Sequence, residues 1–330
     1  MSGEWSRADS ELKLVTGEFD RALALLCGLG LRLDVVYPAD DPHTAVLTHA
    51  NCTVRLTSQP GAHLPPAELP AFQPRFVLSL AGGPANEGRA GMHYRDLIPD
   101  RLGGRYIASH ITIAQSGPVA DWVHYHRVAF QMICVRTGWV RVVYEDQGEP
   151  FVLQPGDMVL QPPGIRHRVL ESSTGLEVVE VSSPALHETF ADHDLDLPNP
   201  RIDHDRDFGG QRFVHHIAAE MAWTAWHGAQ AQETGMKAAT NGLADVRTLR
   251  PGVGPDMAFQ PHVGELVFGF VLAGTARLDC GESCRLGPAD SFVVPPGESW
   301  GLVEPSADFR LLHVTTANAS QPLSNPGVFL

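Results

Sequence analysis

Positive charge is scarce in this chain of 330 residues. It holds 24 Lys and Arg against 38 Asp and Glu, which gives a formal net charge of −14. An acidic surface of this kind repels phosphate backbones and anionic lipid head groups. We therefore expect neither a nucleic-acid partner nor a membrane partner, and a small molecule is the expected ligand.

Cysteines and long apolar runs are also few. Five cysteines are scattered over the chain, and an odd number spread in this way is not a disulfide framework of the secreted type. The first residues, MSGEWSRADSELK, lack the apolar core of a signal peptide, and no long apolar span lies near them. We expect a cytoplasmic protein.

Glycine and proline are abundant, with 32 and 26 residues, and short alternating segments surround them. Such segments indicate antiparallel strands joined by tight turns. Eight of them fall between about 105 and 185: RYIASHITIA, WVHYHRV, FQMICVRTG, WVRVVYED, FVLQPGD, MVLQPP, HRVLES and LEVVEVSS. A second run over about 240–316 repeats their order, which predicts a mainly β protein with two duplicated jelly-roll barrels.

Residues 11–57 have a different pattern, predicted as strand, helix, strand, strand, with a helix over FDRALALLCG. This order resembles half of a vicinal-oxygen-chelate module, although we expect a docking or lid unit because no matching pair of metal ligands is present. A proline-rich linker follows. The predicted division is 1–75 for a small α/β unit and linker, 76–198 for the first barrel and 199–330 for the second.

A set of metal-ligand residues falls in the first barrel. His124 and His126 are two apart on one strand, so their side chains point to the same face. Gln131 begins the next strand, and His167 follows a Pro-Pro-Gly turn. Three imidazoles and an amide could occupy one side of a divalent ion. Gln131 could bind the ion directly or hold a water bound to it.

The segments HYHRVAFQMICVRTG and GDMVLQPPGIRH resemble the two sequence motifs of the cupin family. Residue types and spacings match at His124, His126, Gly138, Gly156, Pro162, Gly164 and His167. Gln131 stands where the family usually has Glu, and Glu171 replaces the final Asn of the second motif. The resemblance implies a double-stranded β-helix barrel with one metal ion on His124, His126, His167 and Gln131.

The second repeat has lost these residues. Val267 takes the place of Gln131 and Trp300 that of His167, while Gln260-Pro261-His262 is aligned with the paired histidines. Valine and tryptophan cannot donate to a metal, so we expect this barrel to be a metal-free structural partner of the first.

Three neutral imidazoles and an amide would leave the ion its full +2 charge, which favours a bidentate anionic ligand such as an enolate or a hydroxy acid. The bicupin layout resembles ring-cleaving dioxygenases and slightly favours that chemistry with Fe(II). The Gln131 substitution resembles cupins that act as lyases, isomerases or cyclases, in which the metal is only a Lewis acid. Manganese, nickel and zinc suit the same ligands, and a non-catalytic ligand-binding protein is a third possibility.

Further candidates surround the motif. Trp122 shares a strand face with the paired histidines and could wall the pocket or be a core aromatic. His110 could relay protons or be a hydrogen-bonded core residue. Arg141 and Tyr144 lie on opposite faces of one strand, so only one can point inward, and an inward Arg141 would suit a carboxylate substrate. We also expect a homodimer, since a partner commonly covers open strand edges.

Overall fold

The computed structural model describes residues 11–50, 52–61, 68–88, 91–254 and 256–318. Strands make up 45% of the described residues and helices 7%, so the protein is mainly β, as predicted. Within the described residues, no helix has the length and apolar character needed to cross a membrane.

The N-terminal unit is a small sheet with one helix. The elements are β1 (Glu11–Val15), α1 (Phe19–Gly28), β2 (Arg32–Tyr37), β3 (Thr44–His49) and β4 (Cys52–Thr57). The predicted helix has the bounds found, but the last predicted strand is two strands joined by a turn, so the order is βαβββ. Apolar side chains of α1 pack on the buried face of β3 and β4, which gives the unit its own core. The resemblance to a vicinal-oxygen-chelate module stays a prediction.

Residues 77–191 contain all eight strands predicted from the alternating segments, together with five others. In chain order the elements are β5 (Val77–Ser79), β6 (Asn86–Glu87), β7 (His93–Asp96), α2 (Arg101–Gly104), β8 (Ile107–Ile113), β9 (Gly117–Pro118), β10 (His124–His126), β11 (Phe130–Thr137), β12 (Val140–Tyr144), β13 (Phe151–Leu153), β14 (Met158–Leu160), β15 (His167–Ser172), β16 (Leu176–Ser183) and β17 (Thr189–Ala191).

The second barrel repeats this arrangement. Its elements are β18 (Val214–His216), a 3-10 turn (Ala218–Glu220), β19 (Thr224–Trp226), β20 (Ala229–Glu233), α3 (Met236–Ala239), β21 (Ala244–Pro251), β22 (Asp256–Phe259), β23 (Val267–Ala273), β24 (Ala276–Cys280), β25 (Glu282–Leu286), β26 (Ser291–Val293), β27 (Trp300–Val303) and β28 (Arg310–Thr316). The seven strands predicted for this half are all present.

The two barrels exchange strands and share a core. Strand β5 pairs with β26 in the sheet β19-β20-β21-β28-β23-β26-β5, whereas β18 pairs with β14 in the sheet β18-β14-β11-β16-β8-β7-β6. One apolar cluster contains side chains of both halves, such as Phe130 and Phe268. Each barrel therefore completes the other, while the boundaries at 76 and 199 stay predictions.

The N-terminal unit continues the sheet of the first barrel. Strand β2 pairs antiparallel with β17, and β17 pairs with β10, so the order is β1-β4-β3-β2-β17-β10-β15-β12-β13. The loop after β2 consequently lies at one end of the first barrel, next to the strand that carries His124 and His126.

Candidate metal centre

The three predicted histidines meet inside the first barrel. Strands β10 and β15 pair with His124 directly opposite His167, and His126 lies two residues on, on the same face. One nitrogen from each ring lies within 4.8 Å of the others, and all three residues are buried. The ring centroids are 4.2 to 5.3 Å apart. The rings can therefore reach one shared ion.

Hydrogen bonds on the outer side hold the rings in place. Nδ1 of His124 donates to the Trp122 carbonyl at 2.7 Å, and Nδ1 of His167 donates to the Ile165 carbonyl at 3.1 Å. Nδ1 of His126 lies 3.1 Å from the Thr189 hydroxyl, which can accept in the same way. Outer partners of this kind fix the tautomer in which Nε2 is the ligand atom. The donor set thus fits a divalent transition metal.

A cavity of about 90 Å³ lies between the sheets of the first barrel and contains the three rings in its wall. Room of this size would hold about six waters or a small organic molecule. The rest of the wall is mostly aliphatic, with contributions from Ile107, Ile111, Ile113, Ile133, Val142 and Val178. The other polar groups of the wall include Ser109, Gln131, Tyr144, Gln161, Glu180 and His187, and an apolar cavity with polar groups placed in it is typical of a small-molecule site.

Gln131 lies in this cavity wall and is buried. Its side-chain amide nitrogen donates to Oε1 of Glu180 at 3.1 Å, and the Ser182 hydroxyl donates to the same oxygen at 3.0 Å. The amide oxygen of Gln131 is the atom suited to a metal, and its role as a ligand stays a prediction.

Glu180 was not anticipated from the sequence. It is the carboxylate that β16 contributes to the cavity wall. The signal was present in the segment LEVVEVSS. Leu176, Val178 and Glu180 are spaced by two along β16 and share the face that lines the cavity. An acidic residue that follows two apolar ones on the inner face of a strand is an informative exception.

Two other polar residues of the wall are Tyr144 and His187. The Tyr144 hydroxyl accepts a hydrogen bond from the Gln161 amide at 3.0 Å, and its ring stacks on His167. Burial raises the pKa of Tyr144, so the phenol stays protonated. His187 lies outside both sequence motifs and was not anticipated.

The remaining predicted residues lie outside the cavity wall. Arg141 is exposed, because Val140, Val142 and Tyr144 take the inward face of β12. Trp122 contacts His124 edge-on, with 5.2 Å between centroids, and its carbonyl accepts the hydrogen bond from Nδ1 of that histidine. Of the two alternatives predicted for Arg141, the arrangement therefore has the outward one, and Trp122 is not part of the cavity wall.

His110 also points away from the cavity, toward the second barrel. Its Nε2 lies 2.8 Å from a Glu177 oxygen, and its ring packs against Phe270. Burial lowers the pKa of His110, although the Glu177 carboxylate partly opposes this effect. His110 is therefore a hydrogen-bonded residue between the barrels, which was the second of the two predicted alternatives.

The N-terminal unit closes one end of the cavity. Ala39 and Asp40, in the loop between β2 and β3, are part of its wall. The Asp40 carboxylate accepts a hydrogen bond at 2.6 Å from Arg101, whose guanidinium also binds Asp96. The expected lid position of this unit therefore agrees with where the loop lies.

Aromatic rings fill the corresponding interior of the second barrel. Phe259 pairs with Trp300 just as His124 pairs with His167, and the two rings stack with centroids 4.0 Å apart. This register makes Phe259 the counterpart of His124, so the alignment of Gln260 with that histidine was wrong by one residue. His313 stacks on Trp300, and burial lowers its pKa to about 3.

Comparison with known families agrees with this geometry. Residues 110–182 match the family model described as "Cupin domain". That stretch contains all three histidines, and the fold places a second barrel of the same kind behind the first. The first barrel therefore contains a cupin domain, and the two-barrel fold of the chain is consistent with a bicupin. No curated protein matches the sequence.

Solved structures of similar fold include three of different description. A putative glyoxylate-induced protein from Pseudomonas aeruginosa is 13% identical, with a TM-score of 0.55, 80% of this chain covered and 96% of the other. Salicylate 1,2-dioxygenase from Pseudaminobacter salicylatoxidans is 16% identical, with a TM-score of 0.55, 75% of this chain covered and 86% of the other. Oxalate decarboxylase from Bacillus subtilis is 12% identical, with a TM-score of 0.52, 77% of this chain covered and 79% of the other. At these identities the likeness is one of fold.

Proposed function

We propose that this protein is a metal-dependent enzyme that acts on a small oxygenated molecule bound in the cavity of the first barrel. The observation that carries the proposal is the position of the three imidazoles, His124, His126 and His167, at the polar side of a cavity with aliphatic walls. A purely structural barrel has no need of three buried histidines around one point, since its interior can be filled as in the second barrel.

The ligand set limits the chemistry. A divalent ion on these neutral rings would supply Lewis acidity, and iron would in addition supply reactivity toward O2. Fe(II) is the metal we favour, with Mn, Ni and Zn compatible with the same nitrogens. Gln131 adds no charge, so the substrate itself would compensate the positive charge of the site.

The walls define the class of substrate. No lysine or arginine is among the described residues that line the cavity. A carboxylate placed away from the metal would therefore have no cationic partner and would lose its hydration without compensation. The best fit is a small molecule with an aliphatic or aromatic body and two adjacent oxygens, such as a diketone, a hydroxyketone or a catechol.

Glu180 supplies a proton acceptor beside this substrate. Its Oε1 is held by the Gln131 amide and the Ser182 hydroxyl, and the carboxylate forms part of the cavity wall. It can take the proton from an enol, a phenol or a carbon next to a carbonyl. The aliphatic walls meanwhile keep bulk water from the reacting atoms.

Oxidative cleavage by a dioxygenase is the reaction we favour, because a cavity with aliphatic walls suits O2 and an apolar substrate body. A non-redox lyase or isomerase is the second candidate, and Glu180 favours it as a positioned base. The fold relatives include both a dioxygenase and a decarboxylase. A ligand-binding protein without catalysis is the third possibility.

Anaerobic metal analysis followed by oxygen uptake tests the proposal. The protein loaded with Fe(II) should consume O2 with at least one of acetylacetone, hydroxyacetone and catechol, and His167→Ala should abolish the uptake. His193→Ala is the matched control, since His193 is exposed and bonds a backbone carbonyl away from the cavity. No uptake with any substrate, together with turnover by a zinc-loaded sample, would favour the lyase or isomerase. No turnover of any kind would refute an enzyme acting on these three compounds.

We also propose a homodimer, because β1 and β13, at the two ends of the largest sheet, have an edge that no other described strand covers. Light scattering would give twice the chain mass. A monomer at all concentrations would contradict this proposal and leave the enzymatic one untouched.

A further inference from the structure

His187 belongs to neither sequence motif, yet it forms part of the cavity wall. It lies between β16 and β17, it is 5% exposed, and its ring stands edge-on to His126 with centroids 5.4 Å apart. The residue is therefore placed beside any molecule that binds next to the three histidines.

The hydrogen bonds of His187 define which of its nitrogens carries a proton. Its Nδ1 lies 2.9 Å from the carbonyl oxygen of Pro184. A carbonyl oxygen can only accept, so Nδ1 is the donor, and Nε2 of the neutral ring is an acceptor. Nε2 thus offers a lone pair and cannot donate.

This acceptor is buried and has no hydrogen-bond partner in the part of the chain that the structure describes. Buried polar atoms of folded proteins nearly always have a partner, from the protein, from an ordered water or from a ligand. Because the ring lines a cavity with room for a small molecule, the missing partner is best supplied from within that cavity.

We propose that Nε2 of His187 accepts a hydrogen bond from a hydroxyl group of the substrate, and that His187 is thereby a specificity-determining residue. This inference rests on the proposed function and narrows the substrate class. A hydroxyketone or a catechol monoanion keeps an O–H when both of its oxygens bind a metal, whereas a β-diketonate keeps none. Both Nε2 of His187 and the Glu180 carboxylate are acceptors, so the site selects for donors.

Two small chelators test the inference on zinc-loaded protein, in which no redox reaction competes. Hydroxyacetone keeps its hydroxyl proton on chelation, and acetylacetone binds as an enolate without one. In calorimetric titrations, His187→Phe should weaken hydroxyacetone binding about tenfold, the worth of one hydrogen bond, and leave acetylacetone binding within about twofold. His187→Gln, which keeps an acceptor near the position of Nε2, should restore part of the hydroxyacetone affinity.

His215→Phe is the matched control. Its Nε2 is also buried without a partner among the described residues, but the ring stacks on Phe151 and does not line the cavity. Neither chelator should distinguish this variant from the wild type.

Any of the following results would overturn the inference. Equal weakening of both chelators by His187→Phe, or weakening of neither, would remove the role in specificity. Loss of the bound zinc from His187→Phe would make the residue a metal ligand instead. Failure of the wild-type protein to bind zinc or either chelator would overturn the proposed function together with the inference. If His187→Phe does not fold, His187→Leu, which also removes the acceptor, takes its place, and unchanged hydroxyacetone selectivity in that variant would equally refute the inference.

Discussion

The contact between Gln131 and Glu180 explains why this barrel has an amide where glutamate is usual in the cupin motif. The Gln131 amide nitrogen donates to Oε1 of Glu180 at 3.1 Å. Glutamate at position 131 would instead place two carboxylates against each other in a buried wall. We therefore predict that Gln131→Glu destabilises the metal-free protein.

The size of the effect follows from two contributions. The variant loses a hydrogen bond to a charged group, worth about 1.5 to 3 kcal/mol. It also gains repulsion between like charges, about 4 kcal/mol for charge centres 4 Å apart at an effective dielectric constant of 20. At neutral pH, one of the two carboxylates could instead take up a proton, at a cost that is also about 4 kcal/mol, so the repulsion cannot exceed this value. Because Glu180 is only partly buried and water screens it, we expect a net loss of about 3 kcal/mol.

Urea denaturation of the metal-free protein at neutral pH measures this loss. The penalty should shrink as the pH falls toward 5, because the like charge raises the pKa of the carboxylate pair and the folded state then gains a proton. The exchanged pair, Gln131→Glu with Glu180→Gln, should recover most of the stability. If Gln131→Glu is as stable as the wild type, or if Glu180→Gln gives no recovery, the reasoning about this contact is refuted.

Two further predictions concern the joint between the barrels and the second interior. Arg105 forms a buried bidentate ion pair with Glu265 of the other half. Arg105→Met should therefore lower the free energy of unfolding, measured in urea, by about 3 to 5 kcal/mol, and adding Glu265→Leu should recover much of this loss. No loss of stability in Arg105→Met would contradict this role of the ion pair. His313 stays neutral in the fold because burial lowers its pKa to about 3, whereas the unfolded chain takes up a proton near pH 6.5. The free energy of unfolding should therefore fall as the pH drops from 6.5 toward 4, by about 3 kcal/mol for this group. In thermal unfolding, His313→Phe should reduce the dependence of stability on pH over this range. An unchanged dependence would show that His313 is not responsible.

The strands and the three histidines could be predicted from the sequence because both depend on local regularities. Alternation of period two places His124 and His126 on one face, and the spacing of the second motif brings His167 to the opposite strand. The repeat revealed the second barrel, and Trp300 marked the loss of its site.

The roles of residues near the motif depended on facts that local sequence does not contain. Alternation puts Arg141 and Tyr144 on opposite faces, but only the packed sheet shows that Tyr144 faces inward. The two roles predicted for His110, a proton relay or a hydrogen-bonded core residue, could not be told apart from the sequence, because its partners Glu177 and Phe270 come from other strands. His187 lies in a loop, where no periodicity indicates which way a side chain points, so its position in the cavity wall could not be predicted.

The strand exchange between the barrels was equally hidden. Val77–Ser79 is a short segment whose partner, Ser291–Val293, lies more than two hundred residues further on. Pairing over such a separation is decided by the shape of the assembled sheets and by no feature of the segment itself. The same holds for Ala39 and Asp40, which reach the cavity through the pairing of β2 with β17.

Isothermal titration of the metal-free protein with Zn(II) or, anaerobically, with Fe(II) tests the central claim most directly. The account predicts one ion per chain for the wild type and for His193→Ala, and a loss of affinity of at least about tenfold for each of His124→Ala, His126→Ala and His167→Ala. Absence of stoichiometric binding by the wild type, or unchanged affinity in these three variants, would contradict a metal centre in the first barrel.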